Sequence, residues 1–146
     1  MNMSNRSIVE LVQQTCTALS KNNASIKEVT VIIGTPDQDK SALNQFYITP
    51  LDQSVEEAFI VAESKNTKIP SYVTLELKES SLLSLEILEK TFGPSNKIPA
   101  TPRGTSSRVW FTRSPAGSQY TCAIFATLSK DENHVTTLTI RRDEST

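Results

Sequence analysis

Histidine occurs once in this chain of 146 residues, at position 134, and cysteine twice, at positions 16 and 122. Zinc centres draw on closely spaced Cys and His, so a lone imidazole, two distant thiols and scattered carboxylates exclude the usual metal-binding patterns. His134, beside Asn133, reads as a turn-edge residue. An excess of charge is also missing: 15 Lys and Arg against 16 Asp and Glu leave a formal net charge of -1. That balance gives no electrostatic reason to expect nucleic acid or an anionic membrane as the partner. No apolar run approaches the roughly 20 residues that span a bilayer. The apolar stretch Ile8 to Val12 is broken by Glu10 and followed by Gln13 and Gln14, unlike a signal peptide. The chain as it stands is expected to be soluble and cytoplasmic, or periplasmic or secreted where a leader has been removed.

Catalytic signatures are absent too. No serine sits in a Gly-x-Ser-x-Gly elbow. The acidic pairs Glu56-Glu57 and Asp143-Glu144 read as solvated strand edge and tail rather than as an acid and base in partnership. Gly34-Thr-Pro-Asp-Gln-Asp-Lys-Ser41 has the outline of a phosphate-binding loop. Asp39, however, stands where glycine must let backbone N–H groups curl around phosphate, and Pro36 removes a donor. Catalytic, cofactor-binding and metal-binding residues are therefore all expected to be none.

What the chain does have is an echo of itself. Ser25-Ile-Lys-Glu-Val-Thr-Val-Ile-Ile-Gly34 matches Ser84-Leu-Glu-Ile-Leu-Glu-Lys-Thr-Phe-Gly93 at an offset of 59, and a proline follows each at Pro36 and Pro94. Gln45 to Thr49 matches Arg108 to Thr112 at 63, Ala58 to Ala62 matches Ala123 to Thr127 at 65, and Thr74 to Lys78 matches Thr137 to Arg141 at 63. The offset changes where loops should lie, which is where a repeated fold accepts insertions. A single domain, 1–146, is expected to consist of two repeats at about 7–79 and 81–142, because independent units of that size would be marginal.

Each repeat has readable punctuation. Ser7-Ile-Val-Glu10 has the form of a capping box, with Ile8, Val12, Cys16 and Leu19 at helical spacing behind it, which predicts a helix over 7–20. Ser25 and Ser84 open two more helices ending at Gly34 and Gly93. The β-branched run Val29 to Ile33 argues for strand, but the stripe Ile26, Val29, Ile33 and its counterpart Leu85, Leu88, Phe92 favour helix. After each helix come a proline-bearing loop, 35–44 or 94–107, and three strands: 45–49, 57–63 and 71–78, then 107–113, 119–128 and 134–142. Short turns between them imply antiparallel meanders. The predicted fold is thus α+β, a tandem repeat of a helix and a three-stranded antiparallel meander, with the helices on one face of the sheet.

Alternation along the strands sorts side chains into two faces. Phe46, Ile48, Phe59, Val61, Val73, Leu75, Leu77, Val109, Phe111, Ile124, Ala126, Leu138 and Ile140 are expected under the helices. Cys16 and Cys122 fall on inward positions, which favours buried free thiols over a disulfide. The opposite face should be polar, yet it is expected to carry Tyr47, Ile60, Trp110 and Phe125 among residues such as Thr74, Thr139 and Arg141. Apolar groups on a sheet face without helices suggest contact with something else, and Trp and Tyr dominate interface energetics. Arg103, in a loop stiffened by Pro94, Pro99 and Pro102, is a further candidate contact.

Two units, each a helical element ending "IGTP" or "TFGP", a variable loop and an antiparallel meander with an aromatic in its first strand, resemble the β-lactamase-inhibitor-protein fold. They are also similar to small outer-membrane lipoprotein modules. The resemblance spans residues 7–142 and implies a binding module that engages another protein through its sheet face and loops. The expected function is therefore non-enzymatic protein binding, as an inhibitor or toxin-immunity protein, through Tyr47, Ile60, Trp110, Phe125, Arg103 and Arg141. The alternatives are a small acidic chaperone or adaptor acting as a homodimer, and an enzyme whose site is not recognisable in the sequence.

Overall fold

In the computed structural model the described residues are 6–64, 67–98, 107–113, 119–132 and 134–144. These residues form an α+β fold with three α-helices and one open eight-stranded antiparallel sheet.

Helix α1, Ile8–Leu19, starts where its cap dictates. The Ser7 hydroxyl accepts the Glu10 N–H at 3.1 Å, and the Glu10 carboxylate accepts the Ser7 N–H at 3.0 Å, so two otherwise orphaned donors are satisfied reciprocally. Its buried stripe includes Leu11, Val12, Cys16 and Leu19. Each such side chain contributes about 1.5 to 3 kcal/mol on leaving water. No basic residue occupies the last turn. A distant one acts there instead: the Arg142 guanidinium donates to the Leu19 carbonyl at 2.8 Å and the Lys21 carbonyl at 3.0 Å, while stacking 3.4 Å from the centroid of the Tyr120 ring. A cation at that end suits the negative pole of the helix.

Helix α2, Ile26–Ile33, forms in spite of its β-branched residues because Ser25 caps it and Ile26, Val29 and Ile33 are buried along one stripe. Gly34 ends it for a reason of space: a Cβ there would overlap the Thr49 carbonyl oxygen. Helix α3, Leu85–Phe92, is capped by Ser84, buries Leu88, and ends at Gly93, whose φ of 91° lies in the region that favours glycine.

The strands are β1 Gly34–Pro36, β2 Gln45–Pro50, β3 Val55–Ala62, β4 Pro70–Leu77, β5 Asn96–Ile98, β6 Arg108–Arg113, β7 Tyr120–Leu128 and β8 Val135–Glu144. The sheet order is β1-β2-β3-β4-β8-β7-β6-β5, and every pairing is antiparallel. Each half therefore has four strands rather than the three expected. The additions, β1 and β5, lie in stretches expected to be loops. Laying those stretches along β2 and β6 pairs their backbone groups, and Pro36 sits in the outermost strand, where a missing N–H leaves no gap in the ladder.

Helix α1 lies against β7 and β8, α2 against β1, β2 and β3, and α3 against β6. Their buried side chains join those of the strands in one core. Two rows cross six strands in that core: Phe46, Ile60, Val73, Ile140, Ile124 and Phe111, and beside it Ile48, Ala58, Leu75, Leu138, Ala126 and Val109. Phe46 is the least covered of them, only partly buried at the first-half end of its row.

Cys16 and Cys122 are both fully buried, as their inward positions imply, but they are not free thiols. They form a disulfide with a Cα–Cα distance of 5.7 Å, joining α1 to β7 across 106 residues of chain. The expectation failed because sequence distance says nothing about proximity once α1 packs on β7.

Candidate functional site

The side chains that alternate with the core rows make up the second face of the sheet. Its central row runs Tyr47, Phe59, Thr74, Thr139, Phe125 and Trp110, one residue from each of β2, β3, β4, β8, β7 and β6. At about 4.8 Å per strand the row is about 24 Å long. All six side chains are half-buried, which leaves a stripe of aromatic surface on either side of a threonine pair. The Thr74 and Thr139 hydroxyls meet at 3.5 Å.

In the first half the Tyr47 and Phe59 rings stand 5.2 Å apart and tilted by 39°, a favourable aromatic geometry. The Lys40 ammonium lies 5.9 Å from the centroid of the Tyr47 ring and 3.7 Å from the Glu57 carboxylate. In the second half the Arg141 guanidinium sits 4.9 Å from the centroid of the Phe125 ring. Two bonds to the Asp143 carboxylate, at 2.7 and 3.0 Å, hold it there. Asp143 also raises the pKa of Arg141, through the hydrogen bond first and its charge second, against a lowering by burial. One row further along the strands, Glu57 pairs across with Glu76, and Arg108 occupies the same row on β6. Desolvation, a hydrogen bond with Glu57 and repulsion from Glu57 and Glu56 together raise the Glu76 pKa.

Tyr47, Trp110, Phe125 and Arg141 thus share one face, and Arg141 touches Phe125. Ile60 does not join them. It is fully buried in the core row between Phe46 and Val73, and its neighbours Phe59 and Val61, expected in the core, are half-buried on the second face. The cause is the offset used to compare the halves. Matching Ala58–Ala62 to Ala123–Thr127 at 65 sets Ile60 against Phe125. Counted outward from the central β4–β8 pair, Tyr47 stands where Trp110 does, Phe59 where Phe125 does and Thr74 where Thr139 does. Those offsets are 63, 66 and 65. A slip of one residue moves a whole strand's side chains to the other face, whereas the slip of two on β4 leaves its faces unchanged. Phe59 is accordingly the residue that sequence reasoning missed. Matching aromatic to aromatic, Phe59 to Phe125, was the available signal.

Arg103 lies outside the described residues. His134 is exposed at the start of β8, with its N–H on the Ser129 hydroxyl at 3.2 Å. Among the described residues no cluster of three or more His, Cys, Asp or Glu could hold a metal, and no helix is long and apolar enough to cross a membrane. No protein-family model, curated protein or solved structure matches the chain.

Proposed function

We propose that this chain is a non-enzymatic binding module that engages a protein partner through the second face of its sheet, as an inhibitor or immunity protein does. The observation that carries this reading is the row of four half-buried aromatics, Tyr47, Phe59, Phe125 and Trp110. They lie on the face opposite the core rows. Aromatic side chains with few rotatable bonds give large contact areas at low entropic cost, and flanking charges such as Arg141 and Glu57 supply a polar rim.

Tandem duplication, with helices screening a single face, belongs to the same proposal. The symmetric strand order and the matching pairs Tyr47–Phe59 and Trp110–Phe125 support it. So does the resemblance to the β-lactamase-inhibitor-protein fold, in which two such units present their sheet to another protein. The buried disulfide supports an oxidising compartment over the cytoplasm.

The test is a pair of variants. Trp110→Ser combined with Phe125→Ser should abolish capture of the partner retrieved by the wild-type chain from its native host. Because both rings are only half-buried, the loss of stability should be no more than about 2 kcal/mol. Phe111→Ala, in the core row, should cost about 3 to 5 kcal/mol. If the double variant unfolds as readily as Phe111→Ala, the aromatics are core and the proposal fails.

One further observation favours a second copy of the chain as the partner. The central row reads alike from either side of its threonine pair, so two faces apposed about an axis along the strands would set Tyr47 against Trp110 and Phe59 against Phe125. Sedimentation at micromolar concentration decides: a dimer that the double variant dissociates supports this reading, and a monomer refutes it.

A further inference from the structure

At its first edge the core is not closed. Beyond β2 the sheet continues only as far as Pro36, which pairs with Ile48, so among the described residues no strand flanks Phe46 on the outer side. The chain instead turns away through Gln38 and Ser41, and a cleft of about 650 Å³ opens between this turn, β2 and α2. Its apolar lining comes from Ile26, Val31, Pro36 and Phe46, with the Tyr47 ring beside them. Phe46 is only partly buried, and Val31 is 67% exposed, so this apolar surface lacks an occupant within the described chain. A volume of that order is ordinary for a small-molecule site.

The charges around the cleft have one sign. Lys27 and Lys68 both line it, and among the described residues no acidic one does. The Ile26 N–H donates to the Lys68 carbonyl at 3.0 Å, which fastens the two lysine-bearing segments side by side. Glu28, the acid adjacent to Lys27, is paired with Lys21 instead. Among the described residues neither Lys27 nor Lys68 has a carboxylate partner. The amino end of α2 adds positive potential from the backbone at the same place.

We propose that this cleft binds a single-chain amphiphile with an anionic head group. The apolar chain lies along Ile26, Val31, Pro36 and Phe46, and the head is held by Lys27 and Lys68. The apolar surface complements an apolar chain, and two lysines without a carboxylate partner complement an anion; an acyl chain ending in a carboxylate offers both. The cleft meets the aromatic face of the sheet only at Tyr47, and the variants below leave Tyr47 unchanged, so their outcome does not depend on the function assigned to that face.

Calorimetric titration with decanoate, kept below its micelle concentration, tests the idea against two controls, decanol and acetate. Saturable one-to-one binding of decanoate is expected, with decanol weaker by about tenfold, equivalent to about 1.4 kcal/mol, and no binding of acetate. Lys27→Glu with Lys68→Glu, and separately Val31→Glu, should each weaken decanoate by a similar factor. All three side chains are exposed, so the melting temperature should hold, which separates lost binding from lost fold. Three results would overturn the proposal: no saturable decanoate binding, decanol binding as tightly as decanoate, or variants that bind like wild type.

Discussion

Breaking the bond between Cys16 and Cys122 should be the most damaging two-atom change available in this protein. The bond closes a loop of 106 residues, and in the chain-entropy picture a cross-link of that span removes from the unfolded state an amount of freedom worth about 4.7 kcal/mol at 25 °C. A domain of this class has only about 5 to 15 kcal/mol of stability altogether. An unfolding entropy of about 2.1 cal/mol/K per residue comes to about 0.3 kcal/mol/K for the whole chain, so the same loss lowers the melting temperature by about 15 °C. The assay is a thermal melt of protein prepared under oxidising conditions, compared with Cys16→Ala/Cys122→Ala and with protein reduced in urea and refolded in reductant. Both sulfurs are fully buried, so reductant added to the native state should act only as fast as the protein opens. Alkylation in urea without reductant should label neither cysteine, and after reduction both. Labelling of both without reductant, or a double variant melting within about 3 °C of wild type, would refute the reasoning.

Two further predictions rest on single side chains. Arg142, with its side chain 5% exposed, closes the carboxyl end of α1 from the far end of the sequence. Arg142→Met should cost about 3 kcal/mol, because charged hydrogen bonds to the Leu19 and Lys21 carbonyls disappear together; Arg142→Lys, unable to span both acceptors, should recover less than half in urea unfolding. Glu76 has a folded-state pKa above its ordinary value, from desolvation and its carboxylate neighbours. Its contribution to stability is therefore fully present below the unfolded value and is lost as pH rises through the folded one. Glu76→Gln should melt higher than wild type at neutral pH, and the gap should close as pH falls through the carboxylate range. The exposure of Glu76 keeps the effect small, and a gap that widens on acidification would contradict the assigned cause.

What could be read in advance divides along a physical line. Helix starts are local: Ser7, Ser25 and Ser84 each bond a backbone N–H three residues on, so the information lies within one turn of chain and the sequence displays it. Strand existence is nearly as local, and the six longer strands fall close to where alternation and turn residues put them. Which way a strand faces is another matter. β3 carries Ala58-Phe-Ile-Val-Ala62, apolar throughout, so nothing in the strand itself distinguishes inside from outside. Its phase is set by pairing with β2 and β4, including register shifts between Val55 and Glu57 and between Val61 and Ala62. An irregularity of that kind changes the count along one strand without leaving a mark in composition. With no polar residue to mark its phase, β3 is turned inside out by comparing the halves at 65 instead of 66, which puts Ile60 on the wrong face, whereas β6, β7 and β8 carry the polar Thr112, Thr127 and Thr139 among their second-face residues. The disulfide lies at the far end of the same scale. Neither cysteine's surroundings in sequence encode the other; their meeting depends on α1 crossing to β7 and β8, strands of the opposite half, and no local pattern records which strands a helix will choose. The aromatic row shows the converse. Tyr47, Phe125 and Trp110 were legible because two strands carry an aromatic at the same pleat position. An aromatic row drawn from several strands is legible in sequence only as far as the register between those strands is known.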